Sequence, residues 1–359
     1  MSIGLLTPMP LKPLLRISPS RYSALQACAL REMWAATGQA PLLPIPPAAH
    51  VGMIAHKLLE LAFSGRIADE NVMQSYWANE VMKHEEEMKN NALEKHLIPL
   101  AIHTSNYRVK QVMIYNLIRP LFTEIVSQTA TTKKAEAELW VQTKDGKIGG
   151  RIDLVKYTPE GICIIDYKTG AITDSDANGN TVKDAYQNQL KMYAFLYFIS
   201  RGLWPRKLVL IGLNQCQYEI PFDKNECQSM IKTATDYLDD LNSRINAGLN
   251  PDTFAEPSPE NCRFCSYRPA CKEYWAKREN QRGWPADFEG LITEKKLLGN
   301  GSFKVKLESQ KESVSIRALT PERNVFLNNC KEAMFCNLGK DTAAGYYKEI
   351  PMTTGYGLS

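Results

Sequence analysis

Apolar residues recur at helical spacing over the first third of the chain and at alternate positions through its middle, and this change of period predicts the elements. RYSALQACALREMWAA reads as one helix that Ser18 or Ser20 can cap, and the proline-rich APLLPIPPAA after it reads as a loop. A second helix begins near Val51, where Ile54, Leu58, Leu59 and Leu61 supply most of the apolar surface while His56 and Glu60, four apart, share a face. Residues 70–130 read as a helical insert. Strands follow at AEAELWVQ, KIGGRIDLVKY and GICIIDYK, then a helix, DAYQNQLKMYAFLYFIS, then strands at RKLVLIGLN and QCQYEIPF. A helix near 226–246 leads into a stretch where proline and cysteine replace periodicity. The order α, β, β, β, α, β, β therefore closes near residue 285. Beyond it, GLITEKKL, SFKVKLE and SVSIRAL alternate between glycine or serine turns, which predicts a small all-β unit over 286–359.

Composition changes this picture little. A chain of 359 residues, 44% hydrophobic and 23% charged, can bury one large core and a smaller one, so two domains are expected. A formal charge of +4 permits a polyanionic partner without requiring one. No apolar run reaches a membrane span, and the first residues lack a basic start followed by an apolar core, so a cytoplasmic protein without a membrane partner is expected. Nine unevenly spread cysteines argue for metal binding or core thiols over a disulfide scaffold.

The unusual chemistry lies in GGRIDLVKYTPEGICIIDYKTG, residues 149–170. In a strand, Ile162, Ile164, Asp166 and Lys168 point to one face, so an acid and a lysine stand side by side at the end of an apolar strand. The TPEG turn folds the preceding strand back, which lets Asp153 approach Asp166. Two carboxylates in a low-dielectric sheet repel unless one is protonated or a cation lies between them. Oxygen ligands of this kind suit magnesium or manganese, and a lysine beside them can offset developing phosphate charge. A plain ion pair of Asp153 with Arg151 or Lys168 is the alternative that the hairpin leaves open.

GRIDLV followed by DYKTG resembles the PD-(D/E)XK nucleases, in particular the RecB-like branch that includes the CRISPR-associated iron-sulfur exonucleases and the AddB-type subunits. GMIAH resembles that branch's GxxxH motif, and Gln189 to Tyr193 its QxxxY motif. The resemblance implies a restriction-endonuclease-like α/β core with a helical insert. It implies that His56, Asp153 and Asp166 hold the Mg2+ or Mn2+, that Lys168 is the catalytic lysine, and that Gln189 and Tyr193 position DNA or the site's side chains. It also implies that Cys28, Cys262, Cys265 and Cys271 bind a [4Fe-4S] cluster stapling the first helix to the end of the domain. Zinc is the alternative, although zinc ribbons usually present two close CxxC pairs and here C-x2-C-x5-C stands with one distant cysteine. Cys163, Cys216, Cys227, Cys330 and Cys336 show no ligand spacing and read as ordinary thiols.

The tail resembles an OB-fold in its alternating strands and glycine turns. Phe303, Phe335, Tyr346 and Tyr347 can stack on bases or fill a barrel core, and Lys304, Lys306, Arg317 and Lys340 can meet phosphates or simply be solvated. The expected activity is a metal-dependent DNase, an exonuclease on single-stranded DNA or DNA ends in repair, recombination or antiviral defence. The alternative is a DNA-binding assembly subunit whose nuclease site is inactive or depends on a partner helicase or defence complex.

Overall fold

A computed structural model describes residues 10–126, 135–176, 179–278, 283–342 and 345–358. The first part is helical: α1 (Pro19–Ala27), α2 (Ala29–Ala36), α3 (Pro47–Phe63), α4 (Glu70–Lys89), α5 (Leu100–His103) and α6 (Tyr107–Val126). The single helix expected over residues 21–36 is instead two. Cys28 takes an extended backbone, φ −159° and ψ 98°, and breaks it. Ser18 occupies the N-cap position of α1 without a side-chain capping bond. The expected insert over 70–130 comprises α4, α5 and α6, and residues 127–130 lie outside the described residues.

The middle of the chain supplies β1 (Ala135–Gln142), β2 (Gly149–Thr158), β3 (Gly161–Lys168), a small hairpin of β4 (Thr173–Asp176) and β5 (Gly179–Val182), α7 (Asp184–Arg201), β6 (Lys207–Gly212), β7 (Gln217–Glu219) and α8 (Lys224–Asn246). Five of these strands form one mixed sheet in the order β1-β2-β3-β6-β7. β1, β2 and β3 are antiparallel neighbours, whereas β3 and β6 run parallel with α7 as the crossover between them. Both faces of the sheet are covered. Ile152, Val155, Ile164, Leu208 and Leu210 join α1, α2, α7 and α8 in one core, and Leu154, Ile165, Tyr167, Val209 and Ile211 join α3, α4 and α6 in the other. Two-sided burial explains why β3 and β6 read as near-continuous apolar runs. No helix among the described residues is long and apolar enough to cross a membrane.

After the short α9 (Pro259–Arg263) and α10 (Lys272–Lys277), the chain enters a seven-stranded sheet of β8 (Phe288–Leu297), β9 (Phe303–Glu308), β10 (Ser313–Leu319), β11 (Glu332–Cys336), β12 (Gly339–Lys340), β13 (Tyr346–Lys348) and β14 (Thr354–Gly357). Their order is β12-β13-β10-β9-β8-β11-β14, a curled half-barrel whose outer strands are β12 and β14. The all-β unit expected over 286–359 is this sheet, which among the described residues has seven strands, where the OB-fold it was likened to has five in a partly open barrel. Phe335 and Tyr347 are core residues of the half-barrel, so two of the four candidate base-stacking aromatics are internal. Lys304, Lys306 and Arg317 each pair with a carboxylate, Glu294, Glu308 and Asp341 respectively.

The half-barrel is tied to the preceding chain by a buried polar knot. Arg268 and Asp287, 2% and 0% exposed, form an ion pair, and Asp287 also accepts from Tyr274 Oη at 2.9 Å and the Asn337 backbone N–H at 2.7 Å. A buried charge pair is tolerable only when its remaining hydrogen-bonding capacity is filled, as here.

Candidate active site and cysteine cavity

Strand parity puts Asp166 and Lys168 on the same side of β3 as Ile164, facing α7. There Gln189 bridges them. Its Nε2 donates to Asp166 Oδ1 at 2.7 Å, and its Oε1 accepts from Lys168 Nζ at 2.9 Å. Lys168 Nζ also lies 2.8 Å from Asp166 Oδ2 and 4.7 Å from the Tyr186 ring centroid. Tyr193, one turn beyond Gln189 on α7, is buried and meets Gln189 through its hydroxyl. Gly150 on β2 makes room for it, because a Cβ there would sit 3.0 Å from Tyr193 Oη.

Asp153 enters from β2. Its Oδ2 accepts the Tyr167 backbone N–H at 2.9 Å, which fixes it against β3, and His56 Nδ1 from α3 lies 3.9 Å from the same oxygen. Helix α3 approaches this closely because Gly52 has no side chain: a Cβ there would come within 2.9 Å of Thr169 Oγ1, on the residue after Lys168. The glycine of GMIAH thus has a packing role that delivers the histidine four positions later.

Burial dominates the electrostatics. It pushes Asp166 up to about 6, with the Asp153 charge adding to the rise and Lys168 opposing it. Asp153 is likewise pushed up to about 6 by burial, opposed by the Tyr167 N–H and Lys168. Partial burial lowers His56, which leaves a neutral imidazole with a free lone pair at neutral pH. The only partner of the buried Asp166 Oδ2 among the described residues is the Lys168 ammonium, 2.8 Å away. Two carboxylates made costly by burial, beside a neutral imidazole, form a donor set that fits a hard divalent cation. Among the described residues, no three His, Cys, Asp or Glu side chains already converge as a finished ion cage.

Glu138 was not legible as a member of this neighbourhood. It lies between the paired positions Ala137↔Leu154 and Leu139↔Ile152, hence opposite Asp153, and takes φ 52°, a left-handed backbone uncommon for a residue with a side chain. Burial and the nearby Glu60 charge raise its pKa, and its own charge acts on Asp153 and Tyr193. The alternation of AEAELWVQ carries no signal for this, since backbone handedness is invisible in a strand pattern. Glu60 itself pairs with Lys57 at 2.7 Å.

The four cysteines lie elsewhere. Cys28, at the break between α1 and α2, and Cys262, Cys265 and Cys271 line one small cavity together with Arg31, Trp34 and Arg268. Helices α1 and α2 are held to α9 by Arg31 Nη1 donating to the Asn261 carbonyl at 3.0 Å and by Asn261 Nδ2 donating to the Ala27 carbonyl at 2.7 Å. Burial pushes Cys262 up to about 11 and Cys271 up to about 12, so as free thiols they are neutral. Thiolates become stable in such a place only beside positive charge.

A mixed sheet that carries an acid and a lysine on one strand, a second acid on its neighbour, and a glutamine on the crossover helix defines an α/β class with a buried acid–lysine site. The family model described as the PD-(D/E)XK nuclease superfamily matches residues 16–272, and the chain belongs to that superfamily. Membership of that superfamily suggests phosphodiester hydrolysis of nucleic acid. No curated protein matches the chain. Among solved structures it is similar to protein VC1899 from Vibrio cholerae, at 16% identity over 66% of this chain and 58% of that one, with a TM-score of 0.18. The chain thus spans 58% of that protein's length.

Proposed function

We propose that the protein is a metal-dependent deoxyribonuclease of the RecB-like branch, an exonuclease acting on single-stranded DNA or DNA ends in repair, recombination or anti-phage defence. The observation that carries this reading is the meeting of Asp153, Asp166, Lys168 and Gln189 at the end of β3, with His56 arriving from α3. Asp153, Asp166 and His56 would hold the Mg2+ or Mn2+. When bound, that ion supplies Lewis acidity and makes water a nucleophile at neutral pH. Gln189 holds the Lys168 ammonium beside Asp166, where it offsets charge building on the phosphate. Tyr193 packs behind Gln189 and fixes its amide.

The cavity shared by Cys28, Cys262, Cys265 and Cys271 supports a [4Fe-4S] cluster as a structural staple. It would close a loop of more than two hundred residues between Cys28 and Cys262, and long loops gain most from closure.

The test is cleavage of strands labelled at the 5′ or 3′ end, single- and double-stranded, with magnesium or manganese, in competition with matched RNA. Wild-type activity in Asp166→Ala or Lys168→Ala would sink the mechanism. Iron and sulfide with visible absorbance are expected from anaerobically purified protein, whereas stoichiometric zinc without iron would refute the cluster.

A further inference from the structure

Trp140 and Arg151 stand opposite each other in the β1–β2 register. Their neighbours Val141 and Ile152 point into the core beneath α7, so both side chains lie on the sheet's other face, the face from which His56 reaches Asp153. Arg151 precedes Asp153 by two positions, about 6.6 Å along a strand.

Trp140 is 43% exposed, yet its ring is fixed. Its Nε1 donates to Gln142 Oε1 at 3.1 Å, and one edge of the indole rests on the Gly149 backbone, where a Cβ would come within 3.3 Å. Arg16 lies over the ring, its guanidinium carbon 5.1 Å from the centroid. The backbone places it there. Ile17 bridges to Ile148, with its N–H donating to the Lys147 carbonyl at 2.9 Å and its carbonyl accepting from the Gly149 N–H at 3.1 Å. A lone exposed aromatic is ordinary, but one hydrogen-bonded in place with the Arg16 guanidinium on its ring and the exposed Arg151 opposite it in register, beside the proposed nuclease site, has the chemistry of a strand platform.

We propose that Trp140, Arg16 and Arg151 form a subsite for single-stranded nucleic acid next to the cleaved phosphate. A base stacks on the indole while the two guanidinium groups meet the flanking phosphates. This subsite rests on the nuclease reading above. Stacking on an indole is sequence-tolerant, so it grips the strand without selecting a base.

The experiment measures fluorescence anisotropy of labelled oligothymidylate on the full chain in an Asp166→Asn background, which prevents cleavage. Trp140→Ala weakens binding by roughly tenfold and Trp140→Phe restores most of the loss, as expected for stacking. Arg16→Gln and Arg151→Gln each reduce the salt dependence of log Kd by about 0.7. An abasic strand of the same length binds more weakly, and on it Trp140→Ala costs nothing further, a result that a merely structural role for Trp140 would not produce. Equal affinity of Trp140→Ala and its parent for oligothymidylate, in a protein whose wild type cleaves that strand, overturns the subsite and leaves the nuclease reading intact. A wild-type protein that neither binds nor cleaves nucleic acid overturns both.

Discussion

Replacing Asp166 by asparagine isolates the tension at the site. The carboxyl is 2% exposed and pushed up to about 6, while its unfolded value is near 3.9. The folded protein therefore binds more protons than the unfolded chain between those values. Stability is fully present below about pH 4 and is lost as pH rises through about 6, and the loss at neutral pH is on the order of 3 kcal/mol. The substituted amide carries no charge to desolvate, and Lys168 keeps Gln189 Oε1 and the Tyr186 ring as partners. In EDTA at about pH 7.5 the variant should be more stable than wild type by up to about 3 kcal/mol. For 359 residues the unfolding entropy is about 0.75 kcal/mol/K, which converts that gain to about 4 °C in Tm. Asp153 still titrates, so the variant keeps about half of the wild-type fall in stability between about pH 5 and 7.5. Manganese should raise the Tm of wild type at the higher pH, raise it less at the lower, and barely move the variant. Thermal unfolding followed by circular dichroism, with and without EDTA, reads all of these. An Asp166→Asn protein less stable than wild type at pH 7.5 without metal, or one that manganese stabilises equally, would show that the buried Asp166 charge is neither a cost to the fold nor a ligand to the ion.

Three further outcomes follow from separate parts of the molecule. Lys168→Ala should lower kcat by about 10²–10³-fold and, because it strips the buried Asp166 of its counter-ion, raise the Asp166 pKa further and lower Tm at neutral pH without metal; a steady-state cleavage assay and thermal unfolding check this. Asp287→Ala leaves the Arg268 guanidinium buried without its counter-ion and should cost about 3–5 kcal/mol in urea unfolding. Gly52→Ala should cost about 1–3 kcal/mol and reduce cleavage by shifting α3 and His56, and adding Thr169→Ala should recover part of both, because the clash is with Thr169 Oγ1.

Several elements were legible because they are local. AEAELWVQ and GICIIDYK are strands, DAYQNQLKMYAFLYFIS is a helix, and the two-residue period alone puts Asp166 and Lys168 on one face. Other features escaped the pattern. The helix break at Cys28 interrupts an uninterrupted helical period, and the β4–β5 hairpin lies in a polar stretch without strand alternation. An alternating tail predicts strands and says nothing of whether the sheet closes, so the open half-barrel and the internal positions of Phe335 and Tyr347 were not readable.

The sequence by itself determined which side chains each strand and helix presents, since parity and helical spacing depend only on neighbours along the chain. Tertiary structure decided which of them meet. His56 lies nearly a hundred residues before Asp153 and reaches it only because Gly52 lets α3 press against Thr169. Desolvation likewise sums over every atom packed around a carboxyl, whatever its place in the chain. Both faces of the sheet had to be covered before Asp153 and Asp166 became costly enough, as charges, to fit a cation.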